Sequence, residues 1–279
     1  MHLDQSNLPN EALEIRRPLA ALTLAVFLSV GAAPLLAQLG APNAKGVSFG
    51  HVHLTVRDPD AHKKLWLLLG AEVTHAGPLE MLKFPGIFVI LTRGEATEGS
   101  EGSSVDDFGF MVRNVDEVRR KLSAAGLPTV QVLTNPKRWV TMFPDKVKVE
   151  FVEEPVLKVP IAGVNLHLST NDTEPLRAWY VRTFGGTSET RHGFPSAVFD
   201  GGEVDIIRAP GPQAPTKGRS IDHIGFEVKG LEAFCKELEA QGMKLEIPYR
   251  AGGQTGLMIA FITDPAGTRI ELTEGLAAH

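Results

Sequence analysis

The stretch Ser220-Ile-Asp-His-Ile-Gly-Phe-Glu-Val228, answered by Asp264-Pro-Ala-Gly-Thr-Arg-Ile-Glu-Leu272, decides the fold. Both runs alternate, which is the period of a half-buried strand. In the first, Ile224, Phe226 and Val228 take one face while His223, Gly225 and Glu227 take the other. In the second, Ile270 and Leu272 oppose Arg269, Glu271 and Thr273. Between them a helical pattern runs from Leu231 to Gln241 and is stopped by Gly242. If both strands lie in one curved sheet, the imidazole of His223 and the carboxylate of Glu271 face each other on its concave side. That pair suits a metal ion or acid/base chemistry.

The same unit recurs three more times. It starts at Gly50-His-Val-His-Leu-Thr-Val56, at Asp107-Phe-Gly-Phe-Met-Val112 and at Asn165-Leu-His-Leu-Ser-Thr170, with helices expected to stop at Gly70, Gly126 and Gly185. A glycine just past a helix suits the left-handed cap. The four glycines stand 56, 59 and 57 residues apart, so the chain is read as internal repeats. Each unit reads as strand, helix, then three strands. The helix over Glu174–Phe184 carries Leu176, Trp179, Tyr180 and Phe184 at helical spacing, a stripe that belongs to a core.

Composition narrows the partners. A chain of 279 residues with 43% hydrophobic content can bury a large core. A net charge of −5 gives no sign of a nucleic-acid partner. Cys235 is the single cysteine and cannot form an internal disulfide. At the N-terminus, Arg16-Arg17 precede an uncharged run from Pro18 to Ala37. This reads as a signal peptide over residues 1–37, with a linker over residues 38–46. Export to the periplasm or medium is the expectation, leaving no membrane contact after cleavage. The alternative is an uncleaved anchor, since the run is long enough to span a bilayer.

From about Val47 to Gly275 the chain resembles the vicinal oxygen chelate superfamily, which includes glyoxalase I, extradiol dioxygenases and bleomycin resistance proteins. The His-x-x-Leu/Phe-x-Val strands and the Asp264-Pro-Ala-Gly-Thr-Arg-Ile-Glu271 ending carry the resemblance. It implies an α+β fold of four βαβββ modules paired into two cups, expected here as residues 47–155 and 156–279. It also implies a small-molecule substrate and a divalent ion such as Fe, Zn, Ni or Mn.

The family takes ligands from strands one and four of each module. Carried onto the second pair, these positions are Asn165, Asp205, His223 and Glu271, with Glu271 as the proton carrier. Asn165 and Asp205 are each one methylene short of the usual Gln and Glu, and His167 could replace Asn165. In the first pair the positions are His51, Ile90, Asp107 and Glu150, with His53 beside His51. Ile90 cannot ligate, so the second cup is the expected working one and the first a degenerate, structural or substrate-shaping cup, unless His53 beside His51 rescues a three-ligand site there. The functional expectation is a metal-dependent lyase, isomerase or dioxygenase on a vicinal-oxygen substrate. The alternative is a metal-free binding protein of the bleomycin-resistance type. Gln254 and Phe261, where extradiol enzymes carry His and Tyr, weigh against catechol cleavage. The sequence leaves the oligomeric state open.

Overall fold

The structure, a computed structural model, describes residues 39–209 and 211–279, the side chain of Val164 excepted. The expected leader and its cleavage site lie outside these residues. No helix among the described residues is long and apolar enough to cross a membrane.

Four βαβββ modules follow one another. The first holds β1 (Val47–Val56), α1 (Pro59–Leu69), β2 (Glu72–Ala76), β3 (Leu79–Phe84) and β4 (Ile87–Arg93). The second holds β5 (Val105–Val112), α2 (Val115–Ala124), β6 (Thr129–Gln131), β7 (Arg138–Phe143) and β8 (Val147–Glu153). In the third are β9 (Ile161–Thr170), α3 (Thr173–Phe184), β10 (Thr187–Arg191), β11 (Phe194–Phe199) and β12 (Gly202–Arg208). The fourth comprises β13 (Ile221–Val228), α4 (Leu231–Ala240), β14 (Ile247–Ala251), β15 (Met258–Thr263) and β16 (Arg269–Glu274). The order strand, helix, three strands expected of each unit is the observed one. Gly70, Gly126, Gly185 and Gly242 all follow helices with φ between 76° and 105°, where a side chain is strained. Helix starts are fixed locally too: Asp58 accepts from the backbone N–H of Asp60 and Ala61, and Asn114 from that of Glu117.

The pairing of modules departs from the sequential one expected. β1 lies antiparallel to β13 and β5 antiparallel to β9, giving sheets β14-β15-β16-β13-β1-β4-β3-β2 and β10-β11-β12-β9-β5-β8-β7-β6. Modules one and four thus share the outer-module sheet, and modules two and three the inner-module sheet. The expected boundary between residues 155 and 156 falls inside a sheet. Connector length explains why. The short segment 154–160 joins β8 to β9, which both flank β5, as sequence neighbours usually do. The longer segments after β4 and before β13 pass between sheets and bind each other: Ser104 N–H donates to Ala214 O, Thr97 N–H to Gly218 O and Ser220 N–H to Glu98 O.

One core joins the faces opposite the two cups. Phe49 meets Phe199 at 5.6 Å, Trp66 meets Phe108 at 5.8 Å, and Phe184 stacks on Phe226 at 4.2 Å. Cys235 is buried in this core on α4. The expected linker over 38–46 is instead, from Leu39 on, packed against the domain. Leu39 is buried, Ala41 N–H donates to Asp200, and the Asn43 amide donates to the carbonyls of Phe184 and Gly185 at the end of α3.

Candidate metal centre

On β1, alternation sends His51 and His53 to the concave face while Val52 and Leu54 enter the core. Register places His53 opposite His223 on β13, and His51 opposite Gly225. Gly225 in turn pairs with Glu271 on β16. The His51 ring lies across that glycine; a Cβ on residue 225 would stand 2.1 Å from the ring carbon Cε1. Glycine here is a condition for His51 to reach Glu271. The result is four side chains, His51, His53, His223 and Glu271, whose ligand atoms all lie within 4.8 Å of one another.

The donor atoms of this cluster are short of partners. His51 is fully buried, and neither ring nitrogen has a hydrogen-bond partner. Its Nε2 stands 2.9 Å from Glu271 Oε2 but not along a hydrogen-bond direction. His53 uses Nε2 on the Thr92 hydroxyl at 2.7 Å and leaves a buried Nδ1 unpartnered. Each such orphan costs about 1–3 kcal/mol. His223 places Nε2 3.1 Å from Glu271 Oε2 and Nδ1 2.6 Å from Asp222 Oδ1, and Asp222 also accepts from Arg269 at 2.9 Å. A carboxylate behind a histidine fixes the ring and its tautomer for a ligand at the other nitrogen. The approaches of His51 Nε2 and His223 Nε2 to Glu271 Oε2, at 2.9 and 3.1 Å, suit neighbours on one ion with bonds of about 2.1 Å, while a spread of up to 4.8 Å over the four requires the set to draw in around it. Three imidazoles and one carboxylate are a donor set of the kind that divalent transition metals take.

Charge is arranged accordingly. Burial works against ionisation of Glu271, yet His223 and His51 hold its carboxyl far below the usual range. Burial, His223 and His51 hold His53 well below the ordinary imidazole value, so it stays a neutral donor. His223 goes the other way: burial is outweighed by Asp222 and Glu271, which raise it.

The inner-module sheet holds Asp107, Glu150, Asn165, His167 and Asp205, so the five ligands expected to converge are split between two sheets. Asn165, His167 and Asp205 pair with Asp107 and Glu150; His223 and Glu271 pair with His51 and His53. Within the cup of the inner-module sheet a guanidinium already takes the cation's part. Arg138 on β7 donates Nε–H to Glu150 Oε1 at 2.7 Å and Nη2–H to Oε2 at 2.8 Å, with Nη2 2.8 Å from His167 Nε2. Asn165 donates to Glu150 at 2.9 Å, His167 Nδ1 faces Asp107, and Ser196 donates to Asp205. Asn165 thus serves as a donor to a carboxylate, and its expected role as a ligand is corrected.

Residues 162–272 match the family model described as the Glyoxalase/Bleomycin resistance protein/Dioxygenase superfamily. The match falls on modules three and four, less than half of the chain. The chain's fold is shared with glyoxalase I from Zea mays, at TM-score 0.65 and 14% identity over 83% of this chain and 94% of that one. A point mutant of the same maize enzyme aligns at TM-score 0.64 and 14% identity, over 84% and 95%. A putative dioxygenase from Bacillus subtilis aligns at TM-score 0.57 and 13% identity, over 85% and 86%. At these identities the likeness is one of fold. No curated protein matches the chain.

The residue that sequence reasoning missed is Arg138. A signal was present: β7 and β8 flank the Pro144–Lys146 turn, and counting back from it sets Val140 opposite Glu150. Arg138, two residues from Val140, is then the diagonal neighbour of Glu150 on the same face.

His167 in that cup is pulled two ways, because Arg138 and Asn165 donors approach its Nε2 while carboxylates surround it. The charge count decides: Asp107, Glu150 and Asp205 would otherwise face only Arg138 and Lys148. Against burial, Asp107, Asp205 and Glu150 push the His167 pKa up to about 10. A raised pKa contributes stability fully below the ordinary value of 6.5 and loses it as pH climbs toward about 10. Denaturant unfolding at pH 7 and about pH 9.5 should show stability falling, and the fall should flatten in Asp107→Asn. Equal slopes in the two proteins would rule out a buried imidazolium.

Proposed function

We propose that the outer-module sheet binds one divalent metal ion through His51, His53, His223 and Glu271. On this reading the chain is a metal-dependent lyase, isomerase or dioxygenase acting on a small substrate with vicinal oxygens. The observation that carries the reading is the set of unpartnered buried nitrogens on His51 and His53, clustered with the Glu271 carboxylate. An ion that takes six ligands, such as Fe, Ni or Mn, keeps two positions for a chelating pair of oxygens. When bound, the ion would supply Lewis-acid polarisation of those oxygens. The chain's own part is to hold the substrate against an apolar wall of Leu79, Ile90 and Ile259 and to offer Glu271 as proton acceptor. His223 keeps its ring fixed through Asp222 during that transfer.

The metal-free alternative, a binding protein of the bleomycin-resistance type, draws on one fact: His223 is already hydrogen-bonded at both nitrogens. Metal analysis of protein purified without a polyhistidine tag separates the two. One equivalent of ion per chain is expected after reconstitution; no uptake of Fe, Ni, Mn or Zn would leave the binding-protein reading. The exported setting belongs to the proposal as well and rests on the apolar run before Ala37. Mass spectrometry of exported material should show the first 37 residues missing, and an intact Met1 in a membrane fraction would replace export by anchoring.

A further inference from the structure

We propose that Leu276 is the size-selecting residue of the metal pocket, restricting it to small, singly charged or neutral oxygen chelators with little body beyond the chelating group. This rests on the metal reading above. The cavity beside His51, His53 and Glu271 measures about 100 Å³. That is room for about three waters, where ordinary ligand pockets run from about 300 Å³ upward. Its apolar walls are Leu79, Ile90, Leu257, Ile259 and Leu276, with Thr255 and Thr273 beside them, and neither Lys nor Arg lines it among the described residues.

Leu276 enters this space from the segment after β16. It is fully buried and packs in one small cluster with Leu39, Met81, Phe88, Ile90 and Leu257, separate from the main core. The segment is held down by a device on the cup face itself. Glu227, on the same face of β13 as His223, accepts from Gly275 N–H at 2.8 Å and Ala277 N–H at 3.3 Å, while Thr273 donates its hydroxyl at 2.7 Å. Residue 276 lies between the two pinned amides, so its side chain has little freedom to withdraw. Farther along, Lys83 Nζ donates to His279 O at 2.7 Å. The rim is closed opposite by backbone contact: a Cβ on Gly77, in the β2–β3 turn, would stand 2.2 Å from Gln254 O.

Charge narrows the class further. Because ligation itself requires deprotonated ligands, a divalent ion held by one carboxylate and three imidazoles would carry one net positive charge. A singly deprotonated chelator neutralises it, whereas a dianion would bring an unpaired charge into an apolar space, which is costly.

The test uses the full chain loaded with Co2+, read through its visible d–d absorption while acetohydroxamate, benzohydroxamate or oxalate is added. The two hydroxamates share a chelating group and differ only in a methyl against a phenyl body. Acetohydroxamate should bind at least about tenfold tighter than benzohydroxamate, since overpacking a filled space is penalised on that scale. Oxalate should bind more weakly than acetohydroxamate. Leu276→Ala should erase the preference between the hydroxamates with Co2+ stoichiometry unchanged, because no ligand is altered. Glu227→Gln, which weakens the pin and keeps the leucine, should shift the preference the same way and less. Should Leu276→Ala not fold, Glu227→Gln carries the test alone, and an unchanged preference there overturns the proposal. Equal affinity for both hydroxamates in the wild type overturns it while the metal reading stands. Failure of the wild type to take up Co2+ removes the metal reading itself.

Discussion

His223→Ala is expected to lower divalent-metal affinity by at least about a hundredfold, since loss of even an outer-shell partner costs about 10–100-fold. The reason is geometric. His223 sits at the middle of the cluster, its ring 4.5 Å from that of His53 and 5.6 Å from that of His51, with Nε2 beside Glu271. His51→Ala should be nearly as damaging, which reverses the expectation that residue 51 belongs to a separate cup. Asp222→Asn should fall between these and the wild type, because it leaves the ligand and removes the group that orients it. His167→Ala, on the other sheet, should bind metal as the parent does. Isothermal titration with Ni2+ or Mn2+ against the four variants makes the comparison. Equal affinity in His223→Ala and the parent would sink the proposed centre; a loss in His167→Ala matching that in His223→Ala would put the ion elsewhere.

The second large effect is on stability. Arg138→Met should destabilise the fold by about 3–5 kcal/mol, the usual consequence of removing one partner from a buried ion pair. Both Arg138 and Glu150 are buried, and the guanidinium meets the carboxylate with two hydrogen bonds. Without it, Glu150 retains the Asn165 amide but sits close to Asp107 and Asp205 with one cation fewer. Adding Glu150→Gln to Arg138→Met removes the stranded charge and should recover a good part of the loss, giving a large coupling in a double-mutant cycle. Urea denaturation of Arg138→Met, Glu150→Gln and the double variant measures it. A cost under about 1 kcal/mol for Arg138→Met would mean that water or a side-chain shift already satisfies Glu150, and that this cup is not filled as described.

Much of this was legible in one sequence, and the reasons for the rest are specific. The glycines at 70, 126, 185 and 242 revealed the repeat because left-handed φ is a local demand that a single residue answers. His223 and Glu271 were read correctly as neighbours because both belong to one module, where strands one and four pair whatever the other modules do. His51 and His53 were recognised as facing a cup, but not this one. Which module a first strand pairs with depends on connectors far from the strand, and alternation on β1 looks the same against β5 or β13. The same gap assigned Asn165, His167 and Asp205 to the wrong company. Arg138 escaped because an arginine beside Trp139 near a strand start reads as surface until the register of β7 against β8 is fixed.

The nested pairing also sets an order on assembly. Modules two and three form a sheet from a continuous stretch, with β5 and β9 brought together by a short connector, and they can close while module four is still unmade. The candidate centre is the opposite case: His51 and Glu271 stand near the two ends of the repeat, and β1 gains its partner β13 only after everything between has been threaded. Contacts of such sequence separation close late and carry the loop-closure cost of the whole intervening chain. Until they close, β1 offers an unpaired edge of alternating histidine and aliphatic residues, the kind of edge through which chains join one another. On the proposed reading the four ligands come together only when the last module docks, and the same event covers the β1 edge.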